Sequence, residues 1–214
     1  MDDKPILAFD CAASGASVAL LVDDDIDSVA IAQGRQSADL VVAINELMRA
    51  PGVAYGDLGA IVTTIGPGSF TGLRVGLATL HGFALAHPVP IKTITTLAAM
   101  AWEIACHPAP PAKFFIALRA GKGEIYVQEF ASRDAAPVPL GDIGLLPETH
   151  TDFSAPVYGN TLPADSPRYV PGPNAGVLCS IAEHLPVTPL AEALPLYIRP
   201  PDAKIPNAPA WLVG

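Results

Sequence analysis

Apolar and polar positions alternate in several short runs through the first hundred residues, and between these runs apolar residues recur three or four positions apart. Alternation with a period of two predicts strands, whereas spacings of three and four predict amphipathic helices. The predicted strands are residues 6–9, 16–22, 26–32, 60–65 and 91–94. The predicted helices are residues 39–48, 73–86 and 96–105. This order, βββαβαβα, indicates an α/β architecture around a mixed sheet.

Residues with known preferences for helix ends bound the three predicted helices. Ser37 or Asp39 is expected to cap the first helix through a side-chain oxygen, and Thr95 or Thr96 is expected to cap the third. Pro88 is expected to stop the second helix, because proline cannot continue a helical hydrogen-bond pattern.

A proline-rich stretch divides the chain near its middle. Residues 107–112 contain three prolines and are predicted to form a linker. Beyond it the pattern predicts strands at 114–118 and 124–130, a weaker strand at 156–158 and a helix at 175–185. We therefore expect two lobes: residues 1–106 form the larger first lobe, and residues 107–214 form a smaller second lobe.

Composition and charge exclude several classes of protein. Half of the 214 residues are apolar, yet no uncharged apolar run approaches the ~20 residues that a membrane helix needs. The acidic start of the chain is unlike a signal peptide, so a cytoplasmic protein is expected. The formal net charge is −9, and the 12 lysines and arginines are scattered, which disfavours tight independent binding to nucleic acid.

Residue types that hold metals or act as nucleophiles form no recognisable group in the sequence. Cys11, Cys106 and Cys179 lie far apart, and the five histidines never fall four positions apart on one predicted helix. This spacing indicates neither a disulfide framework nor a zinc site. No Ser–His–Asp or Cys–His arrangement can be argued from it either. We expect no metal, no cofactor and no catalytic residue.

The sharpest local feature is a glycine-rich stretch, Gly-Pro-Gly-Ser-Phe-Thr-Gly-Leu-Arg at residues 66–74, between a buried strand and a helix. Free amides at the start of that helix could contact an anion or a nucleotide. The alternative is a tight turn that packs one element against its neighbour. The residue types alone do not choose between the two. No Lys-Ser or Lys-Thr follows the last glycine, so this is not a Walker loop.

An aspartate at the end of the first predicted strand is the other candidate. Asp10 could bind a metal–phosphate group, or it could cap the adjacent turn through its own side chain, and the cap is the favoured interpretation. The candidate nucleotide or anion contacts are Asp10, Gly66, Gly68, Ser69, Thr71, Gly72 and Arg74.

Four motifs, taken in order, resemble those of the TsaB (YeaZ) family. The first strand with its following small residues resembles the family's opening, and the stretch 66–74 resembles its signature almost letter for letter. Gly-Glu-Ile-Tyr at 123–126 resembles its second-lobe motif, and Pro-Leu-Tyr-Ile-Arg-Pro at 195–200 resembles its C-terminal segment.

The resemblance implies a two-lobed fold related to actin, Hsp70 and sugar kinases, with a degenerate second lobe. It also implies a role in making threonylcarbamoyladenosine beside the anticodon of tRNAs that read codons starting with A. In such systems a TsaD subunit transfers the threonylcarbamoyl group, and a TsaE ATPase joins the complex. A TsaB-like subunit is a non-catalytic scaffold for TsaD, and tRNA meets it only through the complex.

Two departures from the relatives bear on function. TsaD-like enzymes carry paired histidines on the helix after the fifth strand, where this chain has Thr96 and Met100. Neither residue replaces a metal ligand, so direct transferase chemistry is not expected. Relatives of the TsaB type also often have Asp-Ala where this chain has Arg119 and Ala120. An acidic role at that position is therefore not carried over.

The predicted contact surface for TsaD comprises apolar or small residues of the first two helices: Leu40, Val41, Ile44, Leu47, Met48, Leu73, Val75, Ala78, His81 and Gly82. Helices that are apolar on more than one face have something to cover besides their own sheet. The alternative is that both helices bury entirely within their own lobe. A homodimer through the same surface, in the absence of TsaD, is a further hypothesis.

A second hypothesis for the function, from a different class, is a stand-alone hydrolase. It would be an ATPase or a peptidase of the glycoprotease (M22) type. The missing metal pair and the lack of a nucleophile–base arrangement count against it.

Overall fold

The computed structural model describes residues 4–13 and 15–199. Ten strands and four α-helices occur in this part of the chain. The strands are β1 (Ile6–Asp10), β2 (Ala16–Val22), β3 (Asp25–Ile31), β4 (Ala60–Thr64), β5 (Ile91–Ile94), β6 (Lys113–Gly121), β7 (Glu124–Arg133), β8 (Ala136–Pro139), β9 (Gly144–Pro147) and β10 (Val157–Gly159). The helices are α1 (Gln36–Arg49), α2 (Phe70–Ala86), α3 (Thr96–Ala105) and α4 (Ala175–Ser180).

The first sheet has the strand order β3-β2-β1-β4-β5. Strands β1, β2 and β3 pair in antiparallel fashion, because each is joined to the next by a short turn. Strand β4 lies parallel to β1 and β5 lies parallel to β4, since the helices α1 and α2 carry the chain back between them. The carboxyl ends of β1 and β4 therefore meet at one edge, which is where the glycine-rich stretch begins.

Helices cover both faces of the first sheet. On one face α1 and α2 bury large side chains of β1 and β2, among them Phe9 and Leu20, together with Leu40 and Ile44 of α1. On the other face α4 packs against small residues such as Ala8 and allows a close approach of helix to sheet. This helix follows the predicted linker in the sequence, so a segment from the second half of the chain completes the core on the first sheet.

The second sheet has the order β10-β6-β7-β8, and β9 pairs with β7. Helix α3 lies between the two sheets, because Leu97, Met100 and Ala101 pack against Phe114 and other residues of the second sheet, while Ala99 joins the cluster under α4. The linker predicted at 107–112 separates the two sheets in sequence. No helix in residues 4–13 and 15–199 has both the length and the apolar character to cross a membrane.

The structure confirms every strand and helix predicted in the first half, with corrections at their ends. Helix α1 begins earlier than predicted, and neither Ser37 nor Asp39 caps it. Asp39 instead forms an ion pair of 2.8 Å with Arg35, one turn earlier. Helix α2 also begins earlier, at Phe70, because Ser69 caps it. Thr95 caps α3 as predicted.

In the second half of the chain, the structure differs from the prediction in which elements are present and in how long they are. Helix α4 ends at Ser180, so it is shorter than the predicted helix, and a 3₁₀ turn follows it. The strands β8 and β9 were not predicted from the sequence. Two of the four residues of β8 are proline, which is unusual for a strand and masked the alternation.

Candidate functional site

The glycine-rich turn after β4 packs directly on the turn between β1 and β2. The amide of Ser69 donates to the carbonyl oxygen of Ala12 at 2.7 Å. A β-carbon added to Gly68 or Gly72 would lie under 3.0 Å from the carbonyl oxygens of Ala12 and Cys11, respectively. These glycines are therefore explained by the approach of two backbone segments of the same chain.

The first glycine of the stretch is needed for a different contact. Gly66 has a φ of +107°, and a β-carbon there would meet the carbonyl oxygen of Leu196 at 2.8 Å. Gly66 and Gly72 are buried, and Ser69 uses its side-chain oxygen to accept from the amide of Gly72 at 3.2 Å. The packing interpretation accounts for these positions, whereas Ser69, Thr71 and Arg74 remain exposed.

Asp10 is buried beneath the same turn. Its carboxylate accepts from the amide of Ala12 at 3.1 Å and from the hydroxyl of Thr64. The bond to Ala12, two residues on, is the Asx hydrogen bond expected of a turn cap. Burial raises the pKa of Asp10 to about 6, although its hydrogen bonds lower the pKa in part. Asp10 is not among the residues that line the cavity described next.

A cleft of about 670 Å³ opens between the two lobes. Its described lining contains three arginines and four aromatic rings, and no carboxylate. The lining residues are Ala12, Ala13, Gly68, Ser69, Phe70, Arg74, Leu118, Arg119, Ala120, Gly121, Tyr126, Asn160, Tyr169, Leu196, Tyr197 and Arg199. The cleft thus combines an apolar, aromatic wall with positively charged groups.

Residues 193–199, here called the strap, cross from one lobe to the other along the cleft. A ring nitrogen of His81 on α2 lies 2.9 Å from the carbonyl oxygen of Ala193, and the amide of Leu196 donates to Ile65 at 2.7 Å. At its far end Arg199 donates to the carbonyl oxygens of Ala120 and Gly121, at 3.2 Å and 3.1 Å, and pairs with Glu124. The third and fourth of the four sequence motifs therefore meet at this point, through Glu124 and Arg199.

Replacing Arg199 by methionine is expected to lower the free energy of unfolding by about 2 kcal/mol, because hydrogen bonds from a charged, largely buried donor are lost. Urea unfolding followed by circular dichroism measures the change. Arg133→Met, at the exposed far end of β7, is the matched control and is expected to change stability by less than about 0.5 kcal/mol. If both variants lost the same free energy of unfolding, the contacts of Arg199 would not hold the strap against the second lobe.

The residues predicted for the contact surface divide into buried and exposed sets. Leu40, Ile44 and Met48 are buried in the core on the chain's own sheet, and Leu73 is buried beside Gly66, so the assignment of these four residues to a partner surface is corrected. Val41, Ala78 and Gly82 are exposed, and Leu47, Val75 and His81 are partly buried. Val42 and Leu85, which the sequence argument missed, are 53% and 79% exposed. Their position off the buried stripe of each helix was the signal that could have identified them.

Other residues singled out by the sequence lie in structural roles. Thr96 and Met100 are fully buried in α3. The guanidinium of Arg119 pairs with Glu148 at 2.9 Å, and its amide donates to Asn160 at 2.8 Å. In the described part of the chain no group of three or more His, Cys, Asp or Glu residues could hold a metal ion.

Two α/β lobes, with helix α3 between their sheets and a cleft at their junction, define the actin/Hsp70/sugar-kinase-like class of fold. A family model described as "TsaD: tRNA N6-adenosine threonylcarbamoyltransferase" matches residues 26–135, which is just over half of the chain. The chain belongs to this family, and the curated relatives reported next place it with the TsaB type.

Individual relatives carry the same indication. The chain is 29% identical over 126 residues to the tRNA threonylcarbamoyladenosine biosynthesis protein TsaB of Escherichia coli, covering 58% of this chain and 54% of that protein. It is 32% identical over 102 residues to the protein of the same name in Haemophilus influenzae, covering 47% and 43%. The chain thus spans about half the length of the curated relatives it matches.

A solved structure shows the fold over a longer range. YeaZ from Pseudomonas aeruginosa superposes with a TM-score of 0.76, covering 91% of this chain and 100% of that chain, at 23% sequence identity. At this identity the likeness extends to the fold and to nothing finer.

Proposed function

We propose that this protein is a non-catalytic scaffold and activator subunit in the synthesis of threonylcarbamoyladenosine in tRNA. It binds a TsaD-like transferase subunit through the exposed faces of α1 and α2. The observation that carries the proposal is the exposed apolar surface of these two helices: Val41, Val42, Ala78, Gly82 and Leu85. Membership of the family supports the pathway.

The two helices form a continuous surface. Their first turns line the same small pocket, which includes Gln36 and Ser37 of α1 and Thr71 of α2, so the helices run side by side in the same direction. Farther along, the hydroxyl of Tyr55 donates to Asn45 of α1 at 2.8 Å, and its ring stacks on Phe83 of α2 at 4.5 Å. A surface held in place in this way loses little conformational entropy on binding.

The chemistry of the described residues supports a scaffold over a stand-alone hydrolase. Asp10 is buried and hydrogen-bonded, so it is not available as a base or a metal ligand. Burial raises the pKa of the thiols of Cys11 and Cys179, which keeps them protonated and unreactive. Among these groups, a peptidase would therefore lack a thiolate nucleophile, and an ATPase would lack a free carboxylate to hold a metal ion or to activate water.

The other partners follow from the same proposal. With a net charge of −9, the protein meets tRNA only through the complex, in the cytoplasm. A TsaE-like ATPase joins the assembly. Without the transferase subunit, the apolar faces of α1 and α2 pair with a second copy of the chain, because an exposed apolar surface favours association.

The test is light scattering after size exclusion and calorimetry of the protein mixed with the transferase subunit from the same organism. A one-to-one complex is expected, and Val41→Glu or Ala78→Glu is expected to weaken it at least about tenfold, because a charge must be desolvated at the contact. Leu140→Glu, at a partly exposed position of the second lobe, is the control and is expected to bind as the wild type does. Absence of a complex between folded proteins, or equal weakening by all three variants, refutes the proposal.

A further inference from the structure

The cleft between the lobes has a charge opposite to that of the protein as a whole. The chain has a net charge of −9, yet Arg74, Arg119 and Arg199 line the cleft and no carboxylate does so among the described residues. Positive groups with low-dielectric walls around them concentrate anions. This local reversal of sign indicates a site for a negatively charged ligand.

The three arginines differ in how far they are engaged. Arg199 is committed to two carbonyl oxygens and Glu124. Arg119 pairs with Glu148, but both side chains are about half exposed, and such a surface pair is weak enough for another anion to displace. Arg74 has no carboxylate partner in the described part of the chain.

The guanidinium of Arg74 is held in place by aromatic rings. Its central carbon lies 3.7 Å from the ring centroid of Phe70, and its Nε donates to the hydroxyl of Tyr197 at 3.3 Å. Stacking uses the face of the guanidinium and leaves N–H groups at its edge, where a carboxylate or phosphate binds. Arg74 is therefore an oriented cation with unused donors.

The walls of the cleft suit a flat apolar body. The rings of Phe70 and Tyr197 lie 5.4 Å apart and are nearly half exposed, and Tyr126 and Tyr169 add to the lining. A volume of about 670 Å³ falls within the range of sites for small organic molecules. Aromatic side chains with a fixed cation beside them match a ligand that joins an aromatic group to an anion.

The described residues that line this cleft include no carboxylate to hold a divalent cation. The nearby Asp10 lies outside the lining, where it is buried and hydrogen-bonded to Ala12 and Thr64. The glycines that could have approached a phosphate chain instead contact the carbonyl oxygens of Cys11 and Ala12. We propose that the cleft binds a small organic anion with a flat aromatic body, held by Arg74 and Arg119 without a metal ion.

The anion could be the phosphate of a nucleoside monophosphate or the carboxylate of an aromatic acid. Isothermal titration calorimetry of the full chain in the presence of EDTA separates these sources, with adenosine monophosphate and indole-3-acetate as probes. One of the two is expected to bind with a Kd below about 1 mM. Adenosine and inorganic phosphate, which each lack one half of the ligand, are expected to bind at least about tenfold more weakly.

Arg74→Gln is expected to weaken binding of the better probe at least about tenfold, because a charge-assisted hydrogen bond is lost. Arg133→Gln, at the exposed end of β7 and outside the lining of the cleft, is the control and is expected to bind within about twofold of the wild type. Arg74 is exposed, so both variants are expected to fold, which thermal melting checks. The proposal is overturned if neither probe binds, if Arg74→Gln binds as the wild type does, or if binding requires Mg²⁺. Because the transferase contact uses a different surface and a different assay, either proposal can fail alone.

Discussion

Replacing Gly72 by alanine is expected to lower the free energy of unfolding by about 4 kcal/mol, in the range reserved for severe core changes. The added β-carbon would overlap the carbonyl oxygen of Cys11, and both partners belong to backbone. Neither can move by a side-chain rotation, because the turn after β1 and the start of α2 are also joined by the hydrogen bond from Ser69 to Ala12. The strain must therefore separate α2 from the end of β1.

The matched control is Gly82→Ala in the same helix. No atom lies within 4 Å of a β-carbon added to Gly82, and alanine is the better helix former, so stability is expected to rise by up to about 1 kcal/mol. Urea denaturation at a single pH, followed by the far-ultraviolet circular dichroism, measures both variants. A loss below about 1 kcal/mol for Gly72→Ala would show that the two turns tolerate separation.

Replacing Asp10 by asparagine is expected to remove a pH dependence of stability amounting to about 3 kcal/mol. The pKa of Asp10 in the folded state is about 6, compared with 3.8 for an ordinary aspartate, because burial disfavours its charged form. About two pKa units at roughly 1.36 kcal/mol each give that figure. Asparagine keeps the oxygen that accepts from Ala12 and Thr64, so the substitution isolates the ionisation.

The direction of the effect follows from proton binding. Between pH 3.8 and about 6 the folded state holds the proton of Asp10 and the unfolded state has lost it, so stability falls as the pH rises through this window. Unfolding free energies of the wild type and Asp10→Asn, measured in steps from pH 4 to pH 7.5, are compared. The variant is expected to gain relative to the wild type towards pH 7.5. Parallel curves would show that Asp10 does not titrate in this range.

Most strands and helices of the first lobe could be predicted from hydrophobic periodicity, because the spacing of apolar residues along each segment matches the period of a strand or a helix. The burial of particular helix residues was harder to predict. Leu40, Ile44 and Met48 recur at intervals of four and form one apolar stripe along α1. In the structure this stripe is buried against the lobe's own sheet. Periodicity identifies an apolar stripe, but it does not say whether the sheet or a partner covers it.

The two interpretations of the glycine-rich stretch could not be separated by local sequence. The deciding contacts come from Cys11 and Ala12, which lie more than fifty residues earlier in the chain. The cleft was beyond prediction for the same reason. Arg74 and Arg119 belong to different lobes, and Tyr197 reaches Arg74 only because the strap crosses both. Contacts of this kind depend on topology.

Helix α4 has a consequence for how the chain is made. It packs over Ala8, Ala19 and Val62 of the first sheet, yet it is synthesised after the whole second sheet. During translation, that face of the first sheet therefore stays uncovered until residues 175–182 have left the ribosome. A nascent chain held at this stage presents an apolar surface to chaperones. A truncated protein that keeps the first sheet must also retain α4 to stay soluble, because α4 covers the apolar face of that sheet.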